Sequence, residues 1–81
     1  MRKKTPIYRE IREDLIREIV EGNYANKQLP TEAALCEKYN VSRMTVNKAL
    51  TMLVHEGLIR RTPGKGTFVN SVEIQKRIAE P

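Results

Sequence analysis

The sequence predicts a mainly α-helical domain with a small β-hairpin: three helices followed by a two-stranded wing. Three observations carry that expectation. Apolar residues recur at helical spacing in a first segment. Two further short helical segments, preceded by Thr31 and Ser42, are joined by a tight turn at Asn40. A basic hairpin punctuated by glycine closes the run. At 81 residues the chain is one small domain, near the lower limit at which a single core suffices.

Met1 to Thr5 read as a flexible basic arm. Pro6 suits the first turn of a helix, where its missing N–H has no partner to lose. Ile7, Ile11, Leu15 and Ile19 then recur one turn apart, and Tyr8, Ile16 and Val20 widen the stripe, so this helix packs on two neighbours. Gly22 can take the left-handed cap that ends it. Tyr24 to Gln28 reads as a polar connector, and Leu29-Pro30 forces an extended approach to the next helix. Thr31 caps that helix, Glu32 suits its first turn, and Ala34, Leu35 and Tyr39 form its inward face. Cys36 lies on the apolar side as a small core residue.

Asn40 tolerates the left-handed turn into the third helix, which Ser42 caps and which runs to Glu56 before Gly57. At about 100° per residue, Val46, Ala49, Leu50 and Leu53 cluster on one side of it. Met44, Asn47, Lys48, Thr51 and His55 fan out on the other. Leu58 to Arg61 and Thr67 to Val69 read as strands around the turn Pro63-Gly64-Lys65-Gly66. Asn70 to Pro81 holds Val72, Ile74 and Ile78, too few apolar residues to fold alone. Residues 1–69 are therefore expected to be the folded domain, and 70–81 a linker or the first strand of a following domain.

The formal net charge is +5 and the pI is near 9.7. Where the charge sits matters more than its sign. Glu10, Glu13, Asp14, Glu18 and Glu21 fall in the first helix, whereas Lys38, Arg43, Lys48, Arg60, Arg61 and Lys65 face only Glu56 between positions 38 and 65. That asymmetry is the footprint of a phosphate-binding surface, although a merely solvated basic exterior would carry the same charge.

A lone cysteine makes no internal disulfide, and no second one stands at metal spacing, so a reducing cytoplasm is expected. Met-Arg-Lys-Lys is not followed by the apolar stretch of a signal peptide, and no apolar run approaches the roughly 20 residues of a membrane span. His55 has no second histidine or carboxylate cluster beside it, so no metal site is expected. There is no Ser/His/Asp set, paired-carboxylate pocket or phosphate-cradling loop before a helix. Neither an enzyme nor a cofactor in this chain is expected.

A helix-turn-helix with a basic wing suits duplex DNA. Arg43 stands on the first turn after Ser42, where residues of a recognition helix reach base edges, and its guanidinium can fork onto guanine. Lys48 is placed for a phosphate. Met44 suits a thymine methyl, or packing on the first helix or wing. Gly64 and Gly66 flank Lys65 so that backbone can approach a sugar-phosphate wall while the lysine neutralises it. Two other readings compete. A winged-helix protein-interaction module without nucleic-acid binding would not need Arg43 and Lys65 free. An RNA-binding winged helix would want an exposed stacking surface, and only Phe68 and three tyrosines are at hand.

Several strings occur in order: Pro6-Ile7-Tyr8 with Ile11, Leu29-Pro30-Thr31-Glu32, Val41-Ser42-Arg43-Met44-Thr45-Val46, Ala49-Leu50 with Leu53, Glu56-Gly57-Leu58-Ile59, and Pro63-Gly64-Lys65-Gly66-Thr67-Phe68-Val69. Together, over residues 6 to 69, they resemble the gluconate-repressor (GntR) family of bacterial winged-helix regulators, and within it the histidine-utilisation-repressor (HutC-like) branch. The resemblance implies a homodimeric transcription factor, often a repressor, on a palindromic operator in double-stranded DNA. It also implies a C-terminal domain beyond residue 81 that binds a small-molecule effector. By position it makes Arg43 the guanine reader, places Ser42, Thr45 and Thr67 near phosphates, and puts Gly64-Lys65-Gly66 in the minor groove. Thr31 stands where the family usually has serine and can still cap its helix and touch a phosphate. Tyr8, Met44, Asn47 and Lys48 complete the expected DNA contacts. Ala33 and Asn47 stand where relatives often carry arginine. Asparagine's adjacent donor and acceptor match adenine, so Asn47 is expected to favour A·T where arginine favours G·C.

Overall fold

The computed structural model describes residues 6–24 and 27–79, with side chains through residue 76. The arm expected over residues 1–5 lies outside them. The chain runs α1 (Ile7–Val20), α2 (Glu32–Tyr39), α3 (Arg43–His55), β1 (Ile59–Thr62), β2 (Gly66–Val69) and α4 (Ser71–Ala79). β1 and β2 are antiparallel, in register from Ile59 opposite Val69 to Thr62 opposite Gly66. The architecture is the predicted one, mainly helical with a two-stranded wing, plus a fourth helix.

Local chemistry sets the helix ends. The Thr31 hydroxyl accepts from the Ala34 N–H at 3.1 Å, and the Ser42 hydroxyl from the Thr45 N–H at 3.3 Å. Each satisfies a donor that the first turn leaves orphaned. Pro6 stands one place ahead of α1 rather than in its first turn. At the other end of α2, Asn40 takes φ +55°, and the Val41 N–H returns to the Cys36 carbonyl at 3.1 Å. Gly57 ends α3 in the same way at φ +77°, with the Leu58 N–H on the Leu53 carbonyl. That bond turns the chain straight from α3 into the wing and drives Leu58 and Ile59 into the core.

α1 lies against α3 and buries Ile11, Leu15 and Ile19 on Val46, Ala49, Leu50 and Leu53, the face expected of α3. α2 contributes Leu35, with Cys36 and Tyr39 half-buried beside it. Ala34 is exposed, contrary to expectation. Leu35 and Tyr39 share a face one turn apart, and Ala34 lies about 100° away from Leu35.

Two further sequence expectations are corrected. Lys27 to Leu29 is not a free connector. The Leu29 N–H donates to Thr67 O at 2.9 Å and the Val69 N–H to Lys27 O at 2.7 Å, with Gln28 bridged to Phe68, so the segment adds a third rung to the wing. Nor are residues 71–79 a strand; they form a helix that packs on the domain. Asn70 binds back to Gly57 and Leu58, Ser71–Ala79 coils into α4, and Ile74 is only 6% exposed. The segment need not fold alone: a seat for one isoleucine already exists beside Ile19 and Val69.

Candidate nucleic-acid interface

The start of α2, the start of α3 and the wing enclose an open cleft of about 720 Å³. It gathers Thr31, Arg43, Gly64, Lys65, Gly66 and Thr67, residues singled out from sequence, with Arg61, expected only as part of the basic charge of the wing, and adds Glu32 and Gln28, which the sequence did not assign to the site.

Arg43 opens α3 and is exposed. α1, α2 and α4 each carry an acid in the first turn (Glu10, Glu32 and Glu73), whereas α3 carries none. A cation there is unfavourable to the helix by a few tenths of a kcal/mol up to about 1. The end of α3 is thus left doubly positive, from its dipole and from Arg43, which suits an anion or the acceptor edge of a base. Beside it the Ser42 and Thr45 hydroxyls share a hydrogen bond at 3.1 Å. Met44 is 80% exposed, so it does not pack on α1 or the wing.

One turn further on, Lys48 rests its ammonium 4.4 Å above the Tyr8 ring. Tyr8, half-buried on α1, thereby joins the outer face of α3. Asn47 is exposed as expected, but its Oδ1 accepts from Arg61 Nη2 at 2.7 Å. The same nitrogen lies 3.4 Å from Glu32 Oε2. The donor–acceptor pair expected to match adenine is therefore not free. The signal for Arg61 was present in strand alternation. Ile59 is buried against the helices, so Arg61, on the same side of β1, faces α3, while Arg60 points the other way.

At the wing tip the Lys65 N–H closes the turn on Thr62 O at 3.0 Å. Gln28 Nε2 donates to Lys65 O at 3.2 Å. Gly66 holds φ +126°, and a Cβ there would stand 2.6 Å from that Nε2. The backbone conformation favours glycine here, besides any approach of DNA, while the Gln28 amide would have to shift for a larger residue.

Apart from Glu32, three acids are engaged away from the cleft. Asp14 binds Arg17 and accepts from the Tyr39 hydroxyl, Glu18 binds Lys38 and accepts from the Tyr24 hydroxyl, and Glu56 binds Arg12. Burial, reinforced by these carboxylates, pushes both phenols well above the usual tyrosine range. The hydrogen bond that Arg12 donates to the Glu56 carboxylate likewise raises the pKa of its guanidinium. Lys38, part of the basic run in sequence, belongs to the α1–α2 contact and not to the cleft. Among the described residues no helix is long and apolar enough to cross a membrane, and no group of His, Cys, Asp and Glu could hold a metal.

The family model for bacterial regulatory proteins of the gntR family matches residues 7–69. This chain belongs to the gntR family. It is 44% identical over 73 residues to the probable fructoselysine utilization operon transcriptional repressor of Escherichia coli (strain K12), which covers 89% of this chain and 30% of that protein. It is 36% identical over 76 residues to the histidine utilization repressor of Klebsiella aerogenes, covering 93% of this chain and 32% of that protein, in line with the HutC-like branch. This gntR-family chain thus spans about a third of the length of these relatives. Its fold matches the crystal structure of AraR(DBD) in complex with operator ORR3 with a TM-score of 0.77 and 34% identity, over 85% of this chain and 84% of that one.

Proposed function

We propose that this chain is the operator-binding domain of a metabolite-responsive transcription regulator, a cytoplasmic repressor that binds palindromic duplex DNA as a homodimer. The observation that carries it is the shared cleft, where Arg43 at the positive end of α3 and Lys65 at the wing tip line one opening. α3 enters the major groove with Arg43 on guanine. Ser42, Thr45, Thr67 and Lys48 face phosphates, and Gly64-Lys65-Gly66 follows the minor groove. The effector binds a C-terminal domain outside this chain, which itself needs no cofactor. The repressor names of the relatives and the operator in the AraR(DBD) structure support this reading.

The test is a fluorescence titration at two salt concentrations, against duplex selected from a random library and against random duplex. Arg43→Ala is expected to cost on the order of 1–3 kcal/mol on the selected site and much less on random DNA, because a two-toothed guanine contact discriminates and phosphate contacts do not. An equal loss on both would move Arg43 to the backbone. No binding by the unaltered chain at low salt would favour a protein-interaction module instead.

A further inference from the structure

We propose that Arg61 reads a guanine in the major groove and that Asn47 and Glu32 position it there, an inference that rests on the operator-binding reading above. Arg61 reaches from the wing to the exposed side of α3, where Nη2 donates to Asn47 Oδ1 at 2.7 Å and stands 3.4 Å from Glu32 Oε2. A hydrogen bond to α3 and a looser ion pair to α2 meet at one nitrogen, so the guanidinium is placed at the cleft before any ligand arrives. The side chain remains 36% exposed, and among the described residues Nε and Nη1 make no hydrogen bond. Asn47 uses one hydrogen of Nη2. Whichever it uses, the second makes a two-toothed edge with a neighbouring nitrogen, Nη1 or Nε. The ion pair at 3.4 Å is loose enough to yield to a closer acceptor. Such an edge matches guanine O6 and N7.

Arg61 shares its cleft with Arg43, and Asn47 lies one turn beyond Arg43 on the same face of α3. Two guanidinium groups therefore front one stretch of groove, one from the helix and one from the strand behind it. With its acceptor committed to Arg61, Asn47 no longer offers the adjacent donor and acceptor that adenine requires. The position it was expected to read as A·T becomes G·C, read through Arg61.

Binding-site selection with the unaltered chain, Arg61→Ala, Asn47→Ala and the double variant tests this, with affinities measured on the selected duplex and its single-base changes. The unaltered chain should prefer guanine at a position that Arg43→Ala leaves alone. Arg61→Ala should lower that preference about tenfold. Asn47→Ala should blur the same position, the double variant no other. Replacing that guanine with 7-deazaguanine, which lacks the N7 acceptor, should weaken the unaltered chain and leave Arg61→Ala indifferent. If Arg61→Ala lowers thermal stability, Arg61→Lys replaces it, since a lysine keeps the charge without the fork. Loss of the preference supports the proposal and its retention overturns it. A motif that survives Arg61→Ala, with affinity lost equally on every sequence, overturns this inference alone by making Arg61 a phosphate contact or a brace. An unaltered chain that selects no motif overturns the operator-binding reading and this inference with it.

Discussion

Gly66 and Lys65 are neighbours at the wing tip, yet the structure separates their roles. Gly66 combines φ +126° with a space already filled by Gln28 Nε2. Gly66→Val is expected to destabilise the domain by about 1–3 kcal/mol, the range for a side chain forced into such backbone. It should also weaken binding to all DNA. Lys65 is exposed and, among the described residues, holds the wing through its backbone. Lys65→Ala should leave urea unfolding unchanged, weaken all duplexes and lower the log–log salt slope by about one. Unchanged affinity for both variants would take the wing out of the interface. At this scale the sequence was readable wherever the partner was local. The caps at Thr31 and Ser42 and the turn at Asn40 involve bonds within one turn or so of chain. The contacts that shape the cleft span 14 residues from Asn47 to Arg61 and 37 from Gln28 to Lys65. Propensity and spacing say nothing about those, although the alternation through Ile59 could have turned Arg61 inward.

Between elements, α1 holds α2 and the connector that follows α1 by polar pairs at the edge of the core. Tyr39 donates to Asp14 at 2.5 Å and Tyr24 to Glu18 at 2.6 Å. Both phenols sit above their ordinary range, chiefly from burial and then from the carboxylate each one binds. A raised pKa means that the folded state favours the protonated phenol. The stabilisation is then intact below the ordinary tyrosine value, about 10, and is lost as pH rises above it, when the unfolded chain ionises first. Urea unfolding between about pH 9 and 11 should show that loss, and Tyr24→Phe with Tyr39→Phe should flatten it. An unchanged alkaline slope in the double variant would remove the phenols as its cause. The same scale explains why α4 was illegible. Periodicity detects a stripe, and among its described side chains Ser71–Ala79 buries Ile74 alone, against a contact that α1 and the wing supply. The third rung at Gln28 was hidden similarly, since its strand partner lies 40 residues on at Phe68.

Across the whole molecule the charge is sorted by use. Asp14, Glu18 and Glu56 are engaged in the contacts of α1 with its neighbours, while Arg43, Lys48, Arg61 and Lys65 stay exposed around α3 and the wing. A net charge of +5 thus becomes a one-sided field suited to steering the domain onto DNA. The apolar exterior is not sorted in this way. Ile7 and Val20 lie at opposite ends of α1, Met44 and Val54 at opposite ends of α3, and Val72 on α4. Among the described residues these scattered side chains make no continuous seam of the size that a stable dimer buries, roughly 800 Å² per partner. The isolated chain is therefore expected to sediment as a monomer at micromolar concentration and to bind one operator half-site weakly. Joining two copies through a flexible linker should raise affinity for the full palindrome by about 10²–10⁴-fold through effective concentration, with no new protein contact. The linked protein should lose that gain when the half-site spacing is altered by half a helical turn, because the second domain then faces the wrong side of the duplex. A stable dimer of the unlinked chain in analytical ultracentrifugation would show instead that α1, α3 or α4 carries a pairing surface, and the gain on linking would then shrink toward one.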